Sequence, residues 1–149
     1  MTEVLFYHLE RQPLERVLPQ LLEKSLQRGW RAVVQAGSPE RVAALDAMLW
    51  TYRDDSFLPH GAAGDGEGAV QPILLTAESD NPNKADVRFL VDGAAASDTG
   101  GYARIVYLFD GRDETALEAA RAQWKAMREH GHEVTYWQQD DSGRWIKKA

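Results

Sequence analysis

Near the carboxyl end of the chain, three cationic side chains and a tryptophan recur at helical spacing. Arg121, Lys125 and Arg128 are four and three residues apart, which places them on one face of a helix. Trp124 lies among them. We call the three cations the basic stripe. This combination is suited to binding a partner that is acidic and partly apolar, because cations pair with carboxylates while the ring offers apolar contact.

The distribution of charge along the chain supports this interpretation. The protein has 17 basic and 23 acidic residues and a formal net charge of −6, yet residues 121–149 contain 6 basic and 4 acidic ones. An acidic body with a basic end favours a local docking site for an anionic partner. It argues against strong direct binding of nucleic acid, because neutralising phosphates requires a concentrated basic surface.

The same helix also allows a purely structural interpretation. It carries an apolar row, whose members are Leu117, Ala120, Trp124 and Met127. Such a row predicts the side of a helix that packs on a core, and the cations would then be a solvated flank along its edge. The two interpretations are compatible if Trp124 is only partly buried.

Two Asp-Gly pairs could carry a different chemistry. Asp92-Gly93 and Asp110-Gly111 each end an apolar run that reads as a strand. Carboxylates at the carboxyl ends of parallel strands can hold Mg²⁺, which predicts a small phosphotransferase or hydrolase as the alternative function. Asp-Gly is also an ordinary strand-ending turn, and the sequence favours the turn because no third ligand accompanies the pairs.

Other catalytic patterns are weak or absent in the sequence. The first strand-to-helix connection, Glu10-Arg11-Gln12, has no glycine, so the nucleotide-binding fingerprint is missing. The glycines between Gly61 and Gly68 are accompanied by Asp65 and Glu67, which would repel a phosphate. His130-Gly131-His132 resembles a metal clip but is better explained as a helix end. We therefore expect no catalytic residue, metal or cofactor, and the chain has no cysteine for thiol chemistry.

A second possible contact surface lies in the middle of the chain. Large side chains crowd a polar segment here; they are Trp50, Phe57, Leu58, Pro59 and His60, together with Asp54 and Asp55. Apolar residues in such a segment either fold back onto the core or form a contact patch. The sequence leaves both possibilities open.

The elements that must position these residues alternate along the chain. Strands are predicted at 4–9, 30–36, 72–76, 86–91 and 103–109, with extended segments at 133–139 and 144–148. Helices are predicted at 13–28, from Ser38 to about Leu49, and from Asp113 to about His130, and a loop is predicted at 51–70. This order predicts one α/β domain over residues 1–149, with three layers and a mostly parallel sheet covered by helices on both faces.

Two cellular classes are disfavoured by the same sequence. The start of the chain lacks the basic and apolar regions of a signal peptide, and no apolar run approaches the roughly 20 residues that span a bilayer. We therefore expect a cytoplasmic protein with no membrane contact.

In its most specific stretches the chain resembles the chi subunit family of bacterial DNA polymerase III holoenzyme. The resemblance runs from the opening Val4-Leu-Phe-Tyr strand to the last helix. Its motifs are Leu49-Trp50…Asp55-Ser56-Phe57-Leu58-Pro59-His60 and Trp124-Lys125-Ala126-Met127-Arg128. The family's fold is α/β and resembles mononucleotide-binding proteins without their nucleotide chemistry, which agrees with the missing fingerprint.

The resemblance implies a non-catalytic bridge in DNA replication. Chi-like proteins connect the clamp loader to single-stranded DNA-binding protein (SSB) by gripping its acidic C-terminal tail, which ends in an aromatic residue and a carboxylate. Arg121, Lys125 and Arg128 would meet the acidic groups, and Trp124 would wall the slot for the terminal ring. Any DNA-directed DNA polymerase activity would belong to the assembly.

The resemblance also implies a second partner. In relatives, residues matching Trp50 and Phe57 contact the psi subunit or a helicase, and we extend this expectation to Pro59 and His60. One departure concerns Leu117, where some relatives have a further cation. Lys147 or Lys148 is a possible substitute.

Overall fold

The computed structural model of the protein describes residues 2–51, 60–62, 71–95 and 101–149. Within these ranges the elements follow one another as β1 (Glu3–Leu9), α1 (Leu14–Gln27), β2 (Ala32–Gln35), α2 (Pro39–Thr51), β3 (His60–Ala62), β4 (Ile73–Thr76), β5 (Val87–Leu90), β6 (Arg104–Asp110), α3 (Glu114–Glu129), β7 (Glu133–Gln139) and β8 (Trp145–Lys147). The predicted helices and all the predicted strands are confirmed, with shifts of one or two residues at their ends.

All the strands belong to one open sheet in the order β3-β4-β2-β5-β6-β1-β7-β8. Every pairing is parallel except β7 with β8, which is antiparallel. The short turn between β7 and β8 explains this exception, because parallel strands need a long crossover connection. The predicted mostly parallel α/β sheet is confirmed.

The helices cover both faces of the sheet. Side chains alternate along β1, so Leu9 joins the core under α1 and α2, whereas Phe6 joins the core under α3. Neighbouring β6 divides in the same way, with Val106 towards α1 and Tyr107 towards α3. The three-layer arrangement follows from burying both faces of a central parallel sheet.

Two crossovers open a crevice at the carboxyl end of the sheet. The connection from β1 to β2 runs one way along the sheet, and that from β6 to β7 runs the other way. Because such crossovers are right-handed, α1 and α3 lie on opposite faces. Strands β1 and β6 are neighbours, so a cavity of about 520 Å³ lies beyond their ends, bordered by Leu14 of α1 and Ala116 of α3.

The ends of α3 are defined by local chemistry. The Asp113 carboxylate accepts hydrogen bonds from the backbone N–H groups of Thr115 and Ala116, as an N-cap does. At the other end Gly131 has φ of +83°, a left-handed conformation that glycine adopts at low cost. Both predicted ends of this helix are confirmed.

The structure differs from the sequence prediction between α2 and β4. The predicted loop at 51–70 is wrong for His60–Ala62, which form β3 and pair in parallel with β4. The sequence His-Gly-Ala lacks the alternation and branched residues that predict a strand. Its strand conformation depends on main-chain hydrogen bonds to a neighbour distant in sequence.

No helix among the described residues is long and apolar enough to cross a bilayer.

Candidate functional site

The basic stripe lies on the exposed side of α3. Ala120 and Met127 are buried beneath the helix, whereas Arg121, Lys125 and Arg128 are exposed. Within the described part of the chain, none of the three cations lies within 4 Å of a carboxylate oxygen. Among the described residues no carboxylate therefore forms an ion pair with them, and a carboxylate ligand could approach them.

Trp124 is partly buried beside the stripe. Its ring meets Phe6 of β1 edge-on at a centroid distance of 5.5 Å, and Tyr136 of β7 at 5.8 Å. The guanidinium carbon of Arg128 lies 5.9 Å from the centre of the same ring. Trp124 thus packs against core aromatic rings while a cation lies over its ring. This meets the condition under which the core and pocket interpretations are compatible.

Tyr136 is a neighbour of this site that the sequence analysis missed. Its hydroxyl is 2.5 Å from Nδ1 of buried His8. Burial raises the pKa of the Tyr136 hydroxyl, and the positive charge of Arg121 opposes this rise, so Arg121 acts on the same group. The alternation of side chains along β7 could have indicated this position. It places Val134 and Tyr136 on one face of the sheet and Thr135 and Trp137 on the other.

The register of β8 separates the two lysines considered as additional cations. Trp137 pairs with Lys147, and the backbone N–H of Lys148 donates to the carbonyl of Tyr136 at 2.7 Å. Because paired residues share a face, Lys148 lies on the α3 side with Tyr136 and Lys147 lies on the other side. Of these two lysines, Lys148 is thus the one that can add charge near the basic stripe.

The second predicted surface is described in part. Trp50, near the end of α2, is 51% exposed, and its ring centroid lies 4.3 Å from that of His60. His60 is buried, with Nε2 3.0 Å from Oδ1 of Asp46. The structure brings Trp50 and His60 together, with about half of the Trp50 side chain exposed. Phe57 and Pro59 lie outside the described residues.

The two Asp-Gly pairs border the cavity at the carboxyl end of the sheet. Asp92 forms an ion pair with Arg41 at 2.8 Å, and Asp110 accepts a hydrogen bond of 2.9 Å from the backbone N–H of Arg112. The Asp110 pKa is held below its ordinary value, first by this hydrogen bond. Asp92 has φ of +54°, as expected in a tight turn. These contacts agree with the turn interpretation.

His130, the first histidine after α3, has the contact that its helix-end interpretation predicts. Nδ1 of His130 is 2.7 Å from the carbonyl oxygen of Ala126, one of the last carbonyls of the helix. Within the described ranges, no group of three or more histidine, aspartate or glutamate side chains is arranged to hold a metal ion. The His130 side chain is therefore in hydrogen-bonding contact with a carbonyl group at the end of the helix.

Comparison with known proteins gives a consistent result. Residues 1–135 match the family described as DNA polymerase III chi subunit, HolC. A Rickettsia prowazekii protein named probable DNA polymerase III subunit chi is 31% identical over 91 residues, which cover 61% of this chain and 55% of that protein. A Pseudomonas aeruginosa protein named DNA polymerase III subunit chi is 28% identical over 136 residues, covering 89% and 93% respectively. The chain thus spans about half of the first relative's length and nearly all of the second's.

Proposed function

Because this chain belongs to the chi subunit family of DNA polymerase III, we propose that it is a non-catalytic adaptor in DNA replication. In this proposal it works in the cytoplasm and connects the clamp loader to SSB by binding the acidic C-terminal tail of SSB. The observation that carries the proposal is the basic stripe beside partly buried Trp124, in a chain of this family.

The chemistry of the stripe suits this ligand. Arg121 and Arg128 can each form a bidentate ion pair with a carboxylate of the tail, and Lys125 adds a point charge between them. The terminal aromatic ring would lie against Trp124 and Tyr136, which present a partly exposed aromatic corner. Charge would set the association rate and its salt dependence, while the buried ring would supply much of the affinity.

The second partner would bind at Trp50 and His60. An indole that is 51% exposed and rests on a buried imidazole is a rigid apolar contact. We propose that it forms, with Phe57 and Pro59, the surface for the psi subunit or for an equivalent clamp-loader or helicase partner. Because the Trp50 side chain is exposed, the Trp50→Ala variant should keep the thermal stability of wild type. It should no longer co-purify with this partner.

The positions of the two surfaces support a bridging role. His60 lies in β3 at one edge of the sheet, whereas Tyr136 lies in β7, next to the opposite edge. Six strand spacings separate them, which corresponds to about 29 Å at about 4.8 Å per strand. Two protein partners could therefore bind at once without overlapping.

The test is fluorescence anisotropy with a labelled peptide of the acidic SSB tail. We expect micromolar binding by wild-type protein that weakens between low and moderate salt, and a loss of at least tenfold in Arg128→Glu. Arg16→Glu is the matched control, because it makes the same charge change at an exposed position of α1. Equal binding by wild type and Arg128→Glu would show that the basic stripe does not contribute to peptide binding. No binding by folded wild type at hundreds of micromolar would overturn the proposal.

A further inference from the structure

A second cleft lies on the face of the sheet opposite α3. It has a volume of about 180 Å³ and lies between the last turns of α1 and strands β1, β5, β6 and β8. Its floor is apolar, with Phe89 and Val106 from the side of the sheet that α1 covers. Side chains of Tyr7, Trp30 and Trp145 line it as well. The cleft is therefore separate from the Trp124 site on the other face.

Aromatic rings continue from the cleft across the edge of the sheet. Tyr7 and Trp145 meet edge to face at 4.6 Å, and Tyr7 lies 6.4 Å from Trp137. Tyr7 and Trp137 are paired in register on β1 and β7, so the three rings share one face. All three are only partly buried. They form a row of rings along a sheet surface.

Cations flank this aromatic row on two sides. Lys24 and Arg28 are exposed at the end of α1, and Lys147 is exposed on β8, where it pairs with Trp137. Arg28 and Arg104 place their guanidinium carbons 5.0 and 5.4 Å from the centre of the Trp30 ring. Arg104 is already paired with Glu3 at 2.8 Å. Three of the four cations therefore have no carboxylate partner among the described residues.

We propose that this cleft and the adjacent aromatic row form a contact site for single-stranded nucleic acid. A base stacks against Trp145 or Tyr7, and neighbouring phosphates are bound by Lys24 and Arg28 on one side and Lys147 on the other. Aromatic rings on a sheet surface with flanking cations are a general arrangement for single strands, because every base has a face that can stack.

A single strand fits this surface better than an acidic peptide does. The cations lie on both sides of several rings, which suits a polymer in which rings and charges alternate. A peptide tail with one terminal ring would use only part of the row. The overall charge of −6 makes the contact weak and local. The site would hold a strand that another interaction has already brought near.

Salt dependence gives a quantitative expectation. Each phosphate contact to a single strand changes the slope of log affinity against log salt by about −0.7. With three cations that have no carboxylate partner in the described ranges, the slope should be about −2, which is roughly a 20-fold loss of affinity between 50 and 200 mM salt. Stacking adds affinity that does not depend on salt.

The experiment is anisotropy of a fluorescein-labelled 15-residue oligothymidylate titrated with the full chain. The double variant Lys24→Glu/Arg28→Glu should bind at least tenfold more weakly and with a shallower salt slope. Lys125→Glu/Arg128→Glu is the matched comparison, because it reverses two exposed cations on α3 and gives the same net charge. It should retain oligonucleotide binding and lose the acidic peptide, so failure of either site can be recognised separately.

Two further measurements test the contribution of the aromatic row and the preference for a single strand over a duplex. Trp145→Leu should weaken oligonucleotide binding while leaving the salt slope near −2, and a duplex of equal length should bind more weakly than the single strand. Circular dichroism checks that each variant is folded. The proposal is overturned if wild type does not bind, if both double variants lose binding equally, or if Lys24→Glu/Arg28→Glu loses only the acidic peptide.

Discussion

The guanidinium carbon of Arg128 lies 5.9 Å from the centre of the Trp124 ring, in the range of a cation–π contact. Helical spacing brings the two residues together, since they are four apart on α3. The contact holds a positive charge beside an aromatic surface. A ligand with a carboxylate next to an aromatic ring could pair its carboxylate with Arg128 and pack its ring near Trp124.

Replacing Trp124 separates its contributions to folding and to binding. Trp124→Leu removes edge contacts with Phe6 and Tyr136 but keeps an apolar side chain at a partly buried position. We expect the free energy of unfolding, measured in urea, to fall by about 1–2 kcal/mol. Acidic-peptide affinity should fall at least tenfold although the variant is folded. Full affinity in Trp124→Leu would show that the ring serves the core alone.

The buried Arg88 should be essential for stability. It is 1% exposed, and its five N–H groups reach the side chains of Gln35 and Tyr102 and the carbonyls of Glu78 and Asp80. In Arg88→Met these acceptors lose their donor, so we expect a loss of about 3 kcal/mol or more in urea unfolding.

Arg88→Lys should also be destabilised, because an ammonium has three donors and no planar fork. The exposed Arg16→Met is the control and should change stability by less than about 0.5 kcal/mol. A stability of Arg88→Met equal to that of the control would contradict the assigned role of the network.

Stability should rise with pH through the range in which histidine titrates, because of His8. Burial lowers the pKa of His8 below 6.5, and the negative charges of Glu10 and Asp110 oppose this effect without reversing it. Below pH 6.5 the unfolded chain therefore binds a proton that the folded protein binds only at lower pH. The folded state loses stability as pH falls through this window.

Urea unfolding at pH 7.5 and 5.5 measures this effect. His8→Asn keeps a small polar group that can face the Tyr136 hydroxyl and removes the titration. We expect a smaller difference between the two pH values in the variant than in wild type. The lowered pKa of Asp110 acts in a separate, more acidic window, where stability is lost as that carboxylate is protonated. An unchanged pH dependence in His8→Asn would exclude His8 as its source.

Magnesium should not stabilise the protein if the Asp-Gly pairs are turns. Asp92 is paired with Arg41 and Asp110 with Arg112, so Mg²⁺ would compete with a cation at each carboxylate. We expect the melting temperature to shift by less than 1 °C, about the experimental error, at several millimolar Mg²⁺, in wild type and in Asp92→Asn alike. A rise in wild type that disappears in Asp92→Asn or Asp110→Asn would instead favour the phosphotransferase or hydrolase alternative.

Local patterns were sufficient to predict most elements and the content of the basic stripe. Pro39, Asp113 and Gly131 mark helix ends through their own backbone and capping chemistry, and the spacing of Arg121, Trp124 and Lys125 depends only on the helical repeat. The same locality explains the failure at His60–Ala62, where the strand exists because β4 lies beside it.

The sequence by itself determined the element types, the helix ends and which side chains share a face of α3, because these depend on residues within a few positions of one another. Only the tertiary structure decided that Tyr136 adjoins Trp124, that Lys148 and Lys147 face opposite sides, and that Tyr7 and Trp145 form part of a cationic cleft. Those relationships depend on strand order and register. Strand order and register are set by packing between segments that are distant in the chain, so no local pattern encodes them.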